Sequence, residues 1–181
     1  MYTLQQLRNI ILQKADEDPN DVEQYIINII NKAINDAYID IVRSKHLLLQ
    51  KDMVVLGDNY SFSTSQLSKI VNKIFKITDE TGMFDIPFAQ YDQDTFVVSP
   101  FSDTVVVHYS YIPMPLIYDT DMLAVDYIDT AIIYKGLAEY FLLNRKPDLA
   151  MVYIQLYNQE KNKIKTDKGG IKKFKIRWDL I

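Results

Sequence analysis

The sequence predicts an α+β protein: mainly a bundle of about four helices, with a small antiparallel β insertion between the second and third long helices and an extended C-terminal arm. Three observations predict it. Apolar residues recur at three- and four-residue steps from Val22 to Ile41, the helical period. From Thr104 to Ile112 they alternate, the strand period. From Lys173 to Trp178 basic and apolar residues alternate once more, after Gly169 and Gly170 have ended regular structure.

The first helix is expected over residues 3–15. Thr3-Leu4-Gln5-Gln6 reads as a capping box, and Leu4, Leu7, Ile10 and Ile11 share one helical face. Asp16-Glu17-Asp18-Pro19 breaks it, because proline disfavours helix in the residue before it. Asn20 or Asp21 is placed to cap the second helix, expected over residues 21–44. The period then changes. Leu47 to Leu49, Met53 to Leu56, Tyr60 to Phe62, Ile70 to Ile77 and Thr95 to Val98 are short apolar or alternating runs parted by turn residues. With Thr104–Ile112 they predict one small sheet of four to six strands within residues 46–112. Pro113 and Pro115 end the last strand, since proline cannot donate to a ladder. Two further helices are expected over residues 126–144 and 147–165, with Pro147 suited to a first turn. Their short connection implies an antiparallel hairpin. Residues 1–166 thus form a body and residues 167–181 an arm.

Composition narrows the chemistry. The 181 residues include no cysteine and only two histidines, which removes thiol nucleophiles, disulfides and most His-built metal centres. Five glycines leave little for phosphate-cradling loops, and neither GxGxxG nor a Walker motif occurs. No run approaches the ~18 apolar residues of a membrane span, and the N-terminus lacks a signal-peptide layout, so manufacture in the cytoplasm without membrane association is expected. The net charge of −4 is uneven: residues 161–181 hold eight Lys/Arg against two acids, which leaves the first 160 residues at −10. An acidic body with a basic tail is the asymmetry of an interaction arm.

Candidate catalytic residues all have plainer readings. His108 lies within a strand and His46 beside a helix end, where a cation meets the helix dipole. Asp16, Glu17, Asp18 and Asp21 lack the spacing and glycine of a Ca²⁺ loop. Asp119 and Asp121 flank a turn, and Ser61, Ser63, Ser65 and Ser68 lie in no nucleophile elbow. An enzyme would have to use Asp119, Asp121 or His108; no enzyme, cofactor or metal site is expected. The tail offers more. Lys172, Lys173, Lys175 and Arg177 interleaved with Phe174, Ile176 and Trp178 read either as a nucleic-acid-binding tail or as an arm that adds a strand to a partner's sheet. Three large apolar residues in strict alternation favour the arm over a disordered basic end. The thirteen tyrosines point toward contact surfaces, although Tyr134, Tyr140, Tyr153 and Tyr157 at helical spacing equally suit a core.

The layout resembles the head-to-tail adaptor (connector) proteins of tailed bacteriophages. The carrying residues are Thr104-Val105-Val106-Val107-His108-Tyr109-Ser110-Tyr111-Ile112-Pro113-Met114-Pro115-Leu116, a strand followed by Tyr-x-Pro-x-Pro-Leu, and the acidic turn Asp119-Thr120-Asp121. Tyr127 to Tyr134 with Ala138 to Phe141 is similar to the family's penultimate helix. Lys146 to Ala150 with Tyr153 and Tyr157 to Glu160 is similar to its last. The resemblance implies a non-enzymatic virion protein of the neck, assembled in the host cytoplasm. It implies a ring, commonly a dodecamer, beneath the portal protein. Its partners would be the portal, neighbouring copies, a downstream neck or tail protein, and DNA passing through the lumen without sequence-specific binding. It also implies that Lys172, Lys173, Phe174, Lys175, Ile176, Arg177 and Trp178 reach the portal or a neighbouring subunit. The alternative class is a small nucleic-acid-binding module using the basic tail.

Overall fold

Four helices and six strands make up the computed structural model, which describes residues 1–165. The expected arm, residues 167–181, lies outside them. The helices are α1 (Leu4–Lys14), α2 (Gln24–Lys45), α3 (Asp129–Leu143) and α4 (Pro147–Lys163). The strands are β1 (Leu49–Val55), β2 (Ser61–Ser63), β3 (Val71–Asp79), β4 (Phe88–Gln90), β5 (Thr95–Val98) and β6 (Thr104–Tyr111). Among the described residues no helix is long and apolar enough to cross a membrane.

The chain is α+β, but the expectation of a mainly helical bundle carrying a small β insertion is overturned. The strands form two antiparallel three-stranded sheets, β1–β6–β3 and β2–β5–β4. They enclose a hydrophobic core separate from that of the helices, built around Val54, Ile77, Val105, Val107 and Tyr109 of the first sheet and Phe62, Phe96 and Val98 of the second. The strand half is thus a second packed unit in its own right. Its size was hidden because several strands have only three or four residues, too few for alternation to show. Lys51 and Asp52 also split an apolar run that in fact forms the single strand β1.

Local chemistry explains the helices. The Thr3 hydroxyl accepts from the Gln6 N–H and the Gln6 side chain accepts from the Thr3 N–H, closing the capping box. The remaining free N–H groups of the first turn, Leu4 and Gln5, donate to the Asp121 and Asp119 carbonyls at 2.9 and 3.2 Å. No side chain caps α2, whose N-cap is Glu23. Asn20 and Asp21 are instead drawn into a tight turn on Asp18. Asp126 to Ile128 likewise stay outside α3, with Tyr127 left-handed at φ 62°. Helix α3 is the hub of the helical half. It packs on α1, α2 and α4, and Ala131, Ile132, Ile133, Gly136, Leu137 and Ala138 bury several of its sides.

Candidate interaction surfaces

Residues 112–128, between β6 and α3, form a long connection with no helix or strand of its own. Such connections are uncommon in a packed fold and are usually functional. This one is fastened at many points. The Asn35 side chain accepts from the Leu116 N–H at 2.7 Å and donates to the Leu116 carbonyl at 2.9 Å. The Arg8 guanidinium, nearly buried on α1, forks onto both Asp119 oxygens at 2.9 and 3.1 Å. Asp121 accepts from the Ile117 and Tyr118 N–H groups, and the buried Tyr38 hydroxyl accepts from the Ala124 N–H. Yet the same segment turns large apolar side chains outward. Met114 is 80% exposed, Ile117 72%, Tyr118 69% and Tyr127 68%. A well-anchored segment that presents apolar groups to water is a candidate contact surface.

The first sheet has a second such face. Val54 points into the β core, while Leu49, Lys51, Met53 and Val55 of β1 point away from it. An ordinary solvent face of an antiparallel sheet is polar; here three of the four outward residues are apolar.

The structure separates the residues weighed for chemistry. Asp119 serves the ion pair with Arg8, whose hydrogen bonds hold its carboxyl below the usual range. Asp121 closes the turn beside it. His108 lies in the central strand β6, its Nε2 3.3 Å from the Thr78 hydroxyl. Burial, with Lys51 and Lys76 paired to it on either side, lowers its pKa. His46 caps α2 in a left-handed conformation, with Nδ1 2.9 Å from Asn72 Nδ2 and 3.1 Å from the Ser110 hydroxyl. Burial and Lys73 lower its pKa too. Glu17 accepts from the Tyr140 hydroxyl; burial and that carboxylate push Tyr140 up to about 12. Of the four serines, Ser61, Ser63 and Ser65 bond within turns, and Ser68 bonds to Asp52. Among the described residues no group of His, Cys, Asp or Glu could hold a metal ion. The seven expected partner-binding residues, Lys172 to Trp178, lie outside the described residues.

Sequence reading missed the network around Asp52. This carboxylate accepts from the Tyr109 hydroxyl at 2.6 Å, the Ser68 N–H at 2.6 Å and the Ser68 hydroxyl at 3.0 Å. Burial alone would raise its pKa, but these bonds and one from Gln50 outweigh that and hold it at about 2. The folded value lies below the ordinary 3.8 of an aspartate, so the stabilisation is present above that pH and is lost as pH falls toward 2. Asp52→Asn should therefore weaken the fold most near neutrality. In urea titrations across pH, the gap between variant and parent should close on acidification from about 4 to 2. A gap that stays constant over that range would show that the charge on Asp52 is irrelevant.

The two sheets leave an open cleft of about 850 Å³ between β3 and β4. At one end the sheets are tied, with the Ile86 N–H donating to the Ile77 carbonyl at 2.9 Å. Toward Val71 and Gln90 they part. No protein-family model matches the chain, and no curated protein matches it.

Proposed function

We propose that this protein is a structural head–tail adaptor of a tailed bacteriophage, a ring-forming subunit beneath the portal that links it to neck or tail proteins. The carrying observation is the connection 112–128, pinned by Asn35, Arg8 and Tyr38 while Met114, Ile117, Tyr118 and Tyr127 stand exposed. Rigid presentation of apolar side chains suits a protein whose work is assembly. That connection contains the Pro-x-Pro-Leu and acidic-turn residues on which the resemblance to the adaptor family rests. The acidic body fits a conduit through which DNA slides, because negative walls repel phosphates.

In this reading the basic, apolar-alternating residues 172–178 hook each subunit onto the portal or a neighbouring copy. Deletion of Gly169–Ile181 should leave a folded body with unchanged far-UV circular dichroism. Docking to the portal protein of the same phage should fall by about tenfold or more, the scale of losing a central apolar anchor. Undiminished docking by the shortened chain would reject the arm's role. Steeply salt-dependent capture of DNA by the full chain, lost with the same deletion, would move the reading to a nucleic-acid-binding module.

A further inference from the structure

The cleft between the sheets has the features of an incomplete β-structure. Its lining is polar and apolar in similar measure, and the apolar part is made by Leu67, Ile74 and Phe96 at the margin of the β core with Phe88 beside them. One wall is the edge of β4 that no strand pairs with among the described residues. The Ser99 N–H donates to the Pro87 carbonyl and the Tyr91 N–H to the Thr95 carbonyl, which fixes the phase of the β4–β5 ladder. By the alternation of an antiparallel pair, Ala89 then bonds to β5, and the backbone N–H and C=O of Phe88 and Gln90 face the cleft. The opposite wall, β3, is a poorer template. Its register on β6 is broken twice, between Val71 and Lys73 and between Ile74 and Lys76, and bulges of this kind protect an edge. Charge separates the walls as well: Lys69 and Lys73 line the β3 side and Asp94 the other.

We propose that the cleft receives residues 172–178 of a second copy of this chain, added as a strand along β4. Phe174, Ile176 and Trp178 would share one side of an added strand and pack on Leu67, Ile74, Phe88 and Phe96. Lys173, Lys175 and Arg177 fall on the other side, toward solvent and the acidic β4–β5 hairpin. The added strand would join that edge of the second sheet to the gap left by the first.

Reach is sufficient. Lys161 of α4 bonds to Asp40 of α2 at 2.6 Å, and Asn72, at the cleft, donates to the Arg43 carbonyl of the same helix at 2.8 Å. Both thus meet the last two turns of α2, and the stretch from Lys165 to Phe174 spans about 30 Å when extended. That length serves either the chain's own cleft or a neighbour's; the choice of a second copy rests on the ring reading above.

Trp178 is the only tryptophan, so intrinsic fluorescence of the full chain reads its surroundings directly. On concentration from about 0.1 to about 100 μM, emission should shift to the blue as sedimentation reports assembly. Two variants locate the site. Ile70→Lys alters a cleft residue that is 64% exposed, so the fold should survive. Gln90→Pro removes an N–H that faces the cleft and spares the bonds to β5. Each should weaken association by about tenfold or more with an unchanged circular dichroism spectrum. Water-like emission from a monomer at every concentration would overturn the proposal. So would a blue shift that persists on a monomer at all dilutions, which places the arm in its own cleft. Association indifferent to both variants would put the arm elsewhere. No portal protein enters the experiment, so a failure here and a failure to dock at the portal are told apart.

Discussion

Gly136→Val should cost about 3 kcal/mol of stability, because it fills space that another side chain already occupies. Gly136 sits at the middle of α3 where α1 crosses it. A Cβ added there would lie 2.3 Å from Ile11 Cδ1 and 3.1 Å from Ile11 Cγ1. Ile11 is fully buried in the helical core, so a shift of its side chain must be taken up by its packed neighbours. Alanine should cost less. It gains roughly 1 kcal/mol of helix propensity over glycine, against about 1–3 kcal/mol of overpacking. The pair couples in a way that urea denaturation of four proteins can read. Ile11→Val removes the Cδ1 that clashes, so it should destabilise the Gly136→Ala background less than the parent. Strict additivity of the two changes would show that α1 and α3 do not meet here as described.

Asn35→Leu should cost about 3 kcal/mol for a different reason. The side chain is close in size, so packing is roughly conserved, but both hydrogen bonds to the Leu116 backbone are lost. Leu116 is buried, and a buried N–H and C=O left unpaired each cost about 1–3 kcal/mol. Asn35→Asp keeps an acceptor for the Leu116 N–H and loses the donor to its carbonyl, so it should fall between. Hydrogen exchange supplies the local check. The Leu116 amide should lose protection in Asn35→Leu while amides in the centre of β6 keep theirs. Equal loss at both places would mean that the connection 112–128 and the sheet unfold as one unit.

The helices were legible because each signal lay within one or two turns of chain. Thr3 and Gln6 spell the box that caps α1, Pro147 occupies the first turn of α4, and the apolar steps from Val22 to Ile41 mark α2. Strand β6 was legible for the same reason: Val105, Val107 and Tyr109 all point inward. What could not be read is pairing across distance. Asn35 binds a backbone 81 positions away, and Arg8 meets Asp119 at a separation of 111. A single sequence contains no period that links such positions. The division of six strands into two sheets is hidden in the same way, since β2, β4 and β5 of the second sheet lie between β1, β3 and β6 in the chain. The outward row of β1 did leave a trace, in the alternation Leu49, Lys51, Met53, Val55, but Lys51 and Asp52 made it resemble two fragments. Asp52 itself stood in an apolar run, and a lone acid in such a place is a cue to look for the hydroxyls that satisfy it.

The chain enters the strand half at Leu49 and leaves it at Tyr111 through positions that lie side by side: Leu49 pairs with Ser110, and the Tyr111 N–H donates to the Leu48 carbonyl. Paired backbones of this kind stand about 5 Å apart. Everything from β1 to β6 therefore hangs from one narrow doorway, and the cost of closing it rises only slowly with the length of what lies beyond. A strand half of another size or shape could hang from the same two neighbouring positions while the four helices keep their places, since the ends it must join would not move.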